Sequence, residues 1–289
     1  MFLFFLDHLN ILKIKNLGEY FMKTLKLALA AALTMPTMSV FAEEAESDHS
    51  VSYNMALHTE YVFRGYTQTH NDPALSGGID YEHSSGFYLG SWLSNVSWTT
   101  DGGASSQMES GGTLEIDIYG GFAGEFGETG IGYDVGFLQY LYPGDMRRQA
   151  GFGHANTLEL YAGLSYEGLS ATYYEVMTES AWTWGKNMGV GDSARGTQYL
   201  SVDFEHDVGQ YMGIDGLTAT LHYGRQEFEG SANSPYDYSD YLVGLDKEVM
   251  GFNVGYNFTT TNQSKSTWGQ VDGKYLGATR NIFYVAKEF

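Results

Sequence analysis

The stretch "SVSYNMALHTEYVFRG", residues 50–65, alternates in chemistry from one residue to the next. Val51, Tyr53, Met55, Leu57, Tyr61 and Phe63 fall on one side, and Ser52, Asn54, His58, Glu60 and Arg64 on the other. Successive side chains of a strand point to opposite faces, so a period of two predicts a strand with one apolar and one polar face.

The same rhythm recurs along the chain. Leu75, Ile79 and Tyr81 oppose Ser76, Asp80 and Glu82, and Leu114, Ile116, Ile118 and Phe122 oppose Glu115, Asp117 and Tyr119. Segments 87–94, 131–141, 157–166, 169–176, 198–206, 217–224, 240–247, 252–259 and 279–289 bring the count to about twelve strands. The composition agrees: 37 Gly, 23 Tyr and 17 Phe with only 4 Pro suit pleated surfaces joined by turns. No sequence repeat underlies this cadence, and beyond residue 42 no apolar run is long enough for a transmembrane helix.

Connections alternate in length. "HSSGF", "YEGLS" and "KEVMGF" are tight, and "GEFGETG" and "DVGQYMGIDG" somewhat longer. Between them lie extended polar segments such as "NVSWTTDGGASSQMESGG", "MTESAWTWGKNMGVGDSARG" and "TTTNQSKSTWGQVDGKYLG". A three-residue loop Ser84–Ser85–Gly86, with Gly86 left-handed, sets Tyr81 opposite Leu89. A two-residue turn Glu167–Gly168 likewise sets Leu164 opposite Ala171, so register and turn chemistry keep apolar residues together.

The amino-terminal region carries its own pattern. Lys23 and Lys26, an apolar core from Leu27 to Met35 and the small-x-small end Val40-Phe41-Ala42 predict a signal peptide at 22–42, cleaved to leave residues 43–289. Its apolar run is far below the roughly 20 residues a membrane anchor needs. Residues 1–21 fit no export signal and are read as an upstream extension from a start site assigned too early.

Export frames the rest. The chain has no cysteine, which excludes a disulfide scaffold and the commonest zinc patterns. Thirty-five acids against 15 Lys+Arg give a net charge of −20, which argues against nucleic-acid binding. Cleavage deepens the acidity, since Lys13, Lys15, Lys23 and Lys26 leave with only Asp7 and Glu19.

Short turns at one end, long loops at the other and an even strand number predict an all-β fold. It is a single antiparallel transmembrane β-barrel with short periplasmic turns and long extracellular loops. A secreted β-sandwich shares the alternation but explains neither the loop asymmetry nor the aromatic at Phe289. Final strands of outer-membrane barrels end in an aromatic that the assembly machinery reads, so Phe289 is the expected assembly signal. Phe283 and Val285 share its face, and Lys287 interrupts that face where its stem can snorkel. Tyr61, Phe63, Tyr81, Phe87, Phe122, Tyr133, Tyr166 and Phe258, near strand ends, are the expected interfacial girdle residues.

Residues 61–98, "YVFRGYTQTHNDPALSGGIDYEHSSGFYLGSWLSNVSW", resemble the TorF-type porin family, also described as the Gcw_chp conserved-hypothetical family. The elements that carry the likeness are Y-V-F-R-G, the loop T-Q-x-x-x-D-P-A, the strand G-G-I-D-Y and the hairpin S-G-F-Y-x-G-x-W. "LEIDIYGGFAGEF", "YDVGFLQYLYPG" and "LELYAGLSYEG" extend it over the mature chain. The resemblance implies a barrel in the outer membrane of a Gram-negative bacterium, acting as a pore for small solutes. Its partners would be outer-membrane lipid, periplasmic chaperones and the barrel-assembly machinery.

Barrel logic assigns the polar face to the lumen. The expected pore-lining residues are His58, Glu60, Arg64, Asp80, Glu82, Glu115, Asp117, Tyr119, Asp134, Tyr140, Glu159, Tyr161, Asp203 and Glu205. Arg64 is expected above Asp80, Glu82 and Glu60, as a charged constriction or as part of an ion-pair network that fills the lumen. Twelve strands imply a narrow pore, and the excess of carboxylates implies that it prefers cations. The alternatives are a non-conducting barrel whose loops bind a partner, and an outer-membrane hydrolase. For the last, His83-Ser84-Ser85 is the sole suggestion of a nucleophile, and it lacks an evident orienting acid. No catalytic residue, metal or cofactor is expected, because the histidines show no ligand pair and the glycine stretches lack a strand–helix phosphate loop.

Overall fold

A computed structural model describes residues 47–100, 108–109, 112–143, 147–148, 155–182, 184–185, 192–268 and 274–289. The predicted signal peptide and upstream extension lie outside these residues. The architecture is a closed antiparallel barrel of 12 strands. In chain order these are β1 (His49–His58), β2 (Ala74–His83), β3 (Phe87–Asn95), β4 (Leu114–Glu125), β5 (Gly132–Leu141) and β6 (Thr157–Tyr166). They continue as β7 (Leu169–Val176), β8 (Gln198–Asp207), β9 (Leu217–Glu227), β10 (Tyr238–Val249), β11 (Phe252–Thr261) and β12 (Arg280–Glu288). Each strand pairs with its sequence neighbours, and β12 closes on β1 from Asn54↔Glu288 to His58↔Tyr284.

The strands are joined at one end through 84–86, 126–131, 167–168, 208–216 and 250–251, and at the other through 59–73, 96–113, 142–156, 177–197, 228–237 and 262–279, parts of which lie outside the described residues. Turn chemistry sets register as expected. Gly86 takes φ 94, and Tyr81 faces Leu89. Leu164 faces Ala171 across Glu167–Gly168.

Parity sorts the side chains. Val51, Leu57, Ile118, Leu164, Leu221 and Phe258 are exposed on the outside, whereas Glu115, Asp117, Glu159 and Tyr140 are buried inside. This inverts a water-soluble domain, in which apolar side chains fill the core and charges face water. A barrel that is apolar outside and polar within suits a lipid surround. Among the described residues no helix is long and apolar enough to cross a membrane.

Two expectations need correction. The first strand ends at His58 and does not run on to Arg64. Residues 62–67 instead form a separate hairpin, with Val62↔Thr67 and Phe63↔Tyr66 paired around Arg64–Gly65. Both turn residues have positive φ, 46 and 79, as a type I′ turn requires. The hairpin lies inside the barrel, so Tyr61 is buried and Phe63 half-buried, and neither belongs to a lipid-facing girdle. Phe87, Phe122, Tyr166 and Phe258 are exposed on the outer face, and Tyr81 and Tyr133 share its parity.

A lipid surround makes charge costly by depth. Ile118→Arg and Leu221→Arg, both mid-strand, should each cost about 2–4 kcal/mol of folding free energy in bilayers, against about 0–1 for Phe252→Arg beside a turn. Urea titration of protein folded into vesicles measures this. Equal costs at the three positions would contradict the placement of Ile118 and Leu221 near the membrane midplane and of Phe252 near its edge.

Candidate functional site

The inward hairpin places Arg64 against the far wall of the barrel. Its guanidinium takes both oxygens of Glu159 on β6, Nη1 to Oε1 at 2.9 Å and Nη2 to Oε2 at 2.7 Å. Nη1 also donates to Gln226 Oε1 on β9 at 3.1 Å. Gln226 is held for this role, because its Nε2 donates to the Gln198 carbonyl. The guanidinium carbon lies 4.0 Å from the ring centre of Tyr199 and 5.1 Å from that of Tyr174, within cation–π range. Burial alone would push Arg64 toward losing its proton; the Glu159 carboxylate reverses this and holds it charged well above the ordinary arginine range.

The hairpin is fixed along its length. Tyr238 Oη donates to the Arg64 carbonyl at 3.0 Å. A Cβ added to Gly65 would meet Thr261 Cγ2 at 2.5 Å and Asp240 Cβ at 2.7 Å, so the tip tolerates only glycine. Phe63 packs edge-on to Tyr140. At the hairpin's base, Glu60 pairs with Arg280 at 3.2 Å, and Arg280 also donates to Asn71 and the Tyr275 and Leu276 carbonyls.

Arg64 therefore does not sit over Asp80, Glu82 and Glu60 as the sequence suggests. Its backbone turns out of the β1 line at residues 59–61 and carries it to β6. The other expected residues divide into separate clusters. Tyr119 bonds Asp80, which also accepts from Asn54 Nδ2 at 3.0 Å. Tyr88 donates to Asp134 at 2.6 Å and meets Tyr161. Tyr140 donates to Glu159 at 3.0 Å. Asp203 accepts from Ser201 and contacts His222 Nδ1 at 2.6 Å, while His222 Nε2 lies 2.9 Å from Asp240. His58 is buried against the Tyr284 ring, and Glu82 and Glu205 are half-buried toward the 84–86 end. Tyr61 Oη donates to Glu115 Oε1 at 2.9 Å. Beside it, Asp117 is fully buried with neither carboxylate oxygen partnered.

Arg280, His222, Asp240, Gln226, Tyr174, Tyr199 and Tyr88 were missed by sequence reasoning. Arg280 was findable, since it shares the parity of the buried Ile282, Tyr284 and Ala286. The histidine–serine run at 83–85 does not form a triad: Ser84 donates to Asp48, and His83 Nδ1 is taken by Ser85. Among the described residues no group of three or more His, Asp or Glu is placed to hold a metal.

The family model described as "Bacterial protein of unknown function (Gcw_chp)" matches residues 42–289. The chain belongs to this family. No curated protein sequence matches it. Similar solved structures include the KdgM porin in complex with disordered oligogalacturonate, at 8% identity and TM-score 0.44, covering 83% of this chain and 97% of that one. The NanC porin follows at 9% identity and TM-score 0.46, covering 82% and 98%. OprD of Pseudomonas aeruginosa is at 10% identity and TM-score 0.36, covering 82% and 66%.

Removing one partner of a buried ion pair strands the other. Glu159→Gln should cost about 3–5 kcal/mol with the hairpin in place, and Arg64→Ala/Glu159→Gln should recover part of that loss. Denaturant unfolding of the four proteins in detergent measures the coupling. Strictly additive losses would show that the pair is not formed.

Proposed function

We propose that this protein is a cation-preferring channel for small solutes in the outer membrane of a Gram-negative bacterium, narrowed by hairpin 62–67. The observation that carries the reading is the closed barrel, apolar on its exposed outside and rich in carboxylates within. The resemblance of residues 61–98 to TorF-type porins points the same way. In this reading the 84–86 end faces the periplasm, residues 22–42 direct export, and Phe289 addresses the chain to the assembly machinery and its chaperones.

Cation preference follows from the charges inside. Arg64 and Arg280 are each committed to a carboxylate, and His222 lies between two. Glu115, Asp117, Asp134 and Glu205 have no Lys or Arg partner among the described residues. Carboxylates in a narrow, low-dielectric passage favour cations, and a buried constriction is screened little by salt. The dense packing around Arg64 favours a second reading, a barrel that does not conduct and serves through its surface loops.

Planar-bilayer recording separates the two. Under a salt gradient the reversal potential should carry the cation-directed sign and keep it at raised salt. Arg64→Ala should raise conductance and strengthen the preference, because it removes both a hairpin anchor and an interior positive charge. An anion-directed sign would contradict the preference, and an absence of current from both proteins would favour the non-conducting barrel.

A further inference from the structure

The cage around Arg64 is built mainly by strands far from it in sequence. Glu159 comes from β6, Tyr174 from β7, Tyr199 from β8 and Gln226 from β9, while Phe63 is the local contributor. Three of these walls are braced without help from Arg64. Tyr140 Oη holds Glu159 Oε2, the Gln198 carbonyl holds the Gln226 amide, and Tyr199 Oη donates to Asp240 Oδ2 at 3.1 Å. The receptor half thus belongs to the barrel wall, and the ligand half arrives on a connection whose backbone takes a left-handed φ of 46 at Arg64.

The chemistry of the walls is selective. A carboxylate presenting both oxygens, an amide oxygen beside it and a phenol face beneath suit a planar fork of donors better than a compact ammonium. Asp117, the cross-strand partner of Tyr140, adjoins this group with both oxygens buried and unpartnered. Opposite it in register, Trp92 Nε1 is likewise buried and unpartnered. Unused hydrogen-bonding capacity therefore lies beside the groups that hold Arg64.

We propose that the Glu159–Gln226–Tyr199 cage is a binding site for a guanidinium-bearing solute cation, and that Arg64 fills it from the protein's own chain. The route by which solute reaches the cage rests on the channel reading above; the cage itself does not. A free alkylguanidinium takes both oxygens of Glu159 and lies over Tyr199 once the hairpin side chain withdraws.

The test uses the full chain folded in detergent, titrated with methylguanidinium at millimolar concentration and constant ionic strength. Methylammonium is the control of equal charge, and the shift in thermal unfolding midpoint is the readout. Arg64→Ala should show a saturable upward shift, about tenfold tighter for methylguanidinium than for methylammonium. Wild type should respond only at about tenfold higher concentration, because its own side chain competes. Arg64→Ala/Glu159→Gln should show no saturable shift. Should Arg64→Ala fail to fold, Arg64→Lys keeps a charge against Glu159 but lacks the fork, and it should bind methylguanidinium with intermediate affinity. No saturable shift in whichever single variant folds, or a shift that survives Glu159→Gln, would overturn the site. Conductance of the same preparations is scored separately: binding without current supports the site against the channel reading, and current without binding overturns the site alone.

Discussion

Hydrocarbon offers no partner to a backbone N–H or C=O, so a sheet within it must bond to itself on every side. The β1–β12 ladder meets that demand by removing the last two edges. The remaining architecture follows from closure. Twelve strands with alternating faces have one apolar surface and one polar surface, and only the outer one meets lipid. The polar residues are then confined to an interior shared with aromatic rings.

That confinement explains how the interior is arranged. An isolated buried carboxylate is expensive, so most interior acids are met by a phenol, an amide or one of the few interior cations. Tyrosines serve repeatedly here: Tyr88 on Asp134, Tyr119 on Asp80, Tyr140 on Glu159 and Tyr61 on Glu115. Arg64 extends the same logic by bringing a fixed positive charge in on a loop. Its bonds to Glu159 and Gln226 tie residue 64 to strands 95 and 162 positions away in sequence. The hairpin is thereby held by interior electrostatics in addition to its own turn. Asp117 is buried among these groups without a hydrogen-bond partner, and it marks where the interior polar groups are least satisfied.

The barrel was legible because its determinants are local. Period-two alternation locates all twelve strands, and Gly86 and Glu167–Gly168 announce their turns and registers. The error at residues 59–64 is equally physical. The hairpin alternates just as the strand before it does, and Arg at a left-handed position gives no turn signal as clear as Asn-Gly would. Inward parity placed Glu115, Asp117, Tyr140 and Glu159 within the barrel but could not say which of them would meet. The Arg64–Glu159 pair joins residues with no local relation. It depends on a bend in one connection and on which strands a closed cylinder sets face to face. Arg280 is hidden for a different reason: it lies on the inward parity of β12 with Ile282, Tyr284 and Ala286, while the apolar outer face dominates the pattern of that strand.

The inside-out barrel rests on the sorting of faces by parity, and the absence of native cysteine makes that sorting directly measurable. Single cysteines at successive β9 positions 220–223, labelled with a small fluorophore in the folded protein, can be exposed to quenchers carried on lipid chains. Labels at Leu221 and Tyr223 should be quenched strongly and labels at Thr220 and His222 weakly, giving a period of two. Uniform quenching along the strand, or the opposite phase, would contradict the inside-out barrel.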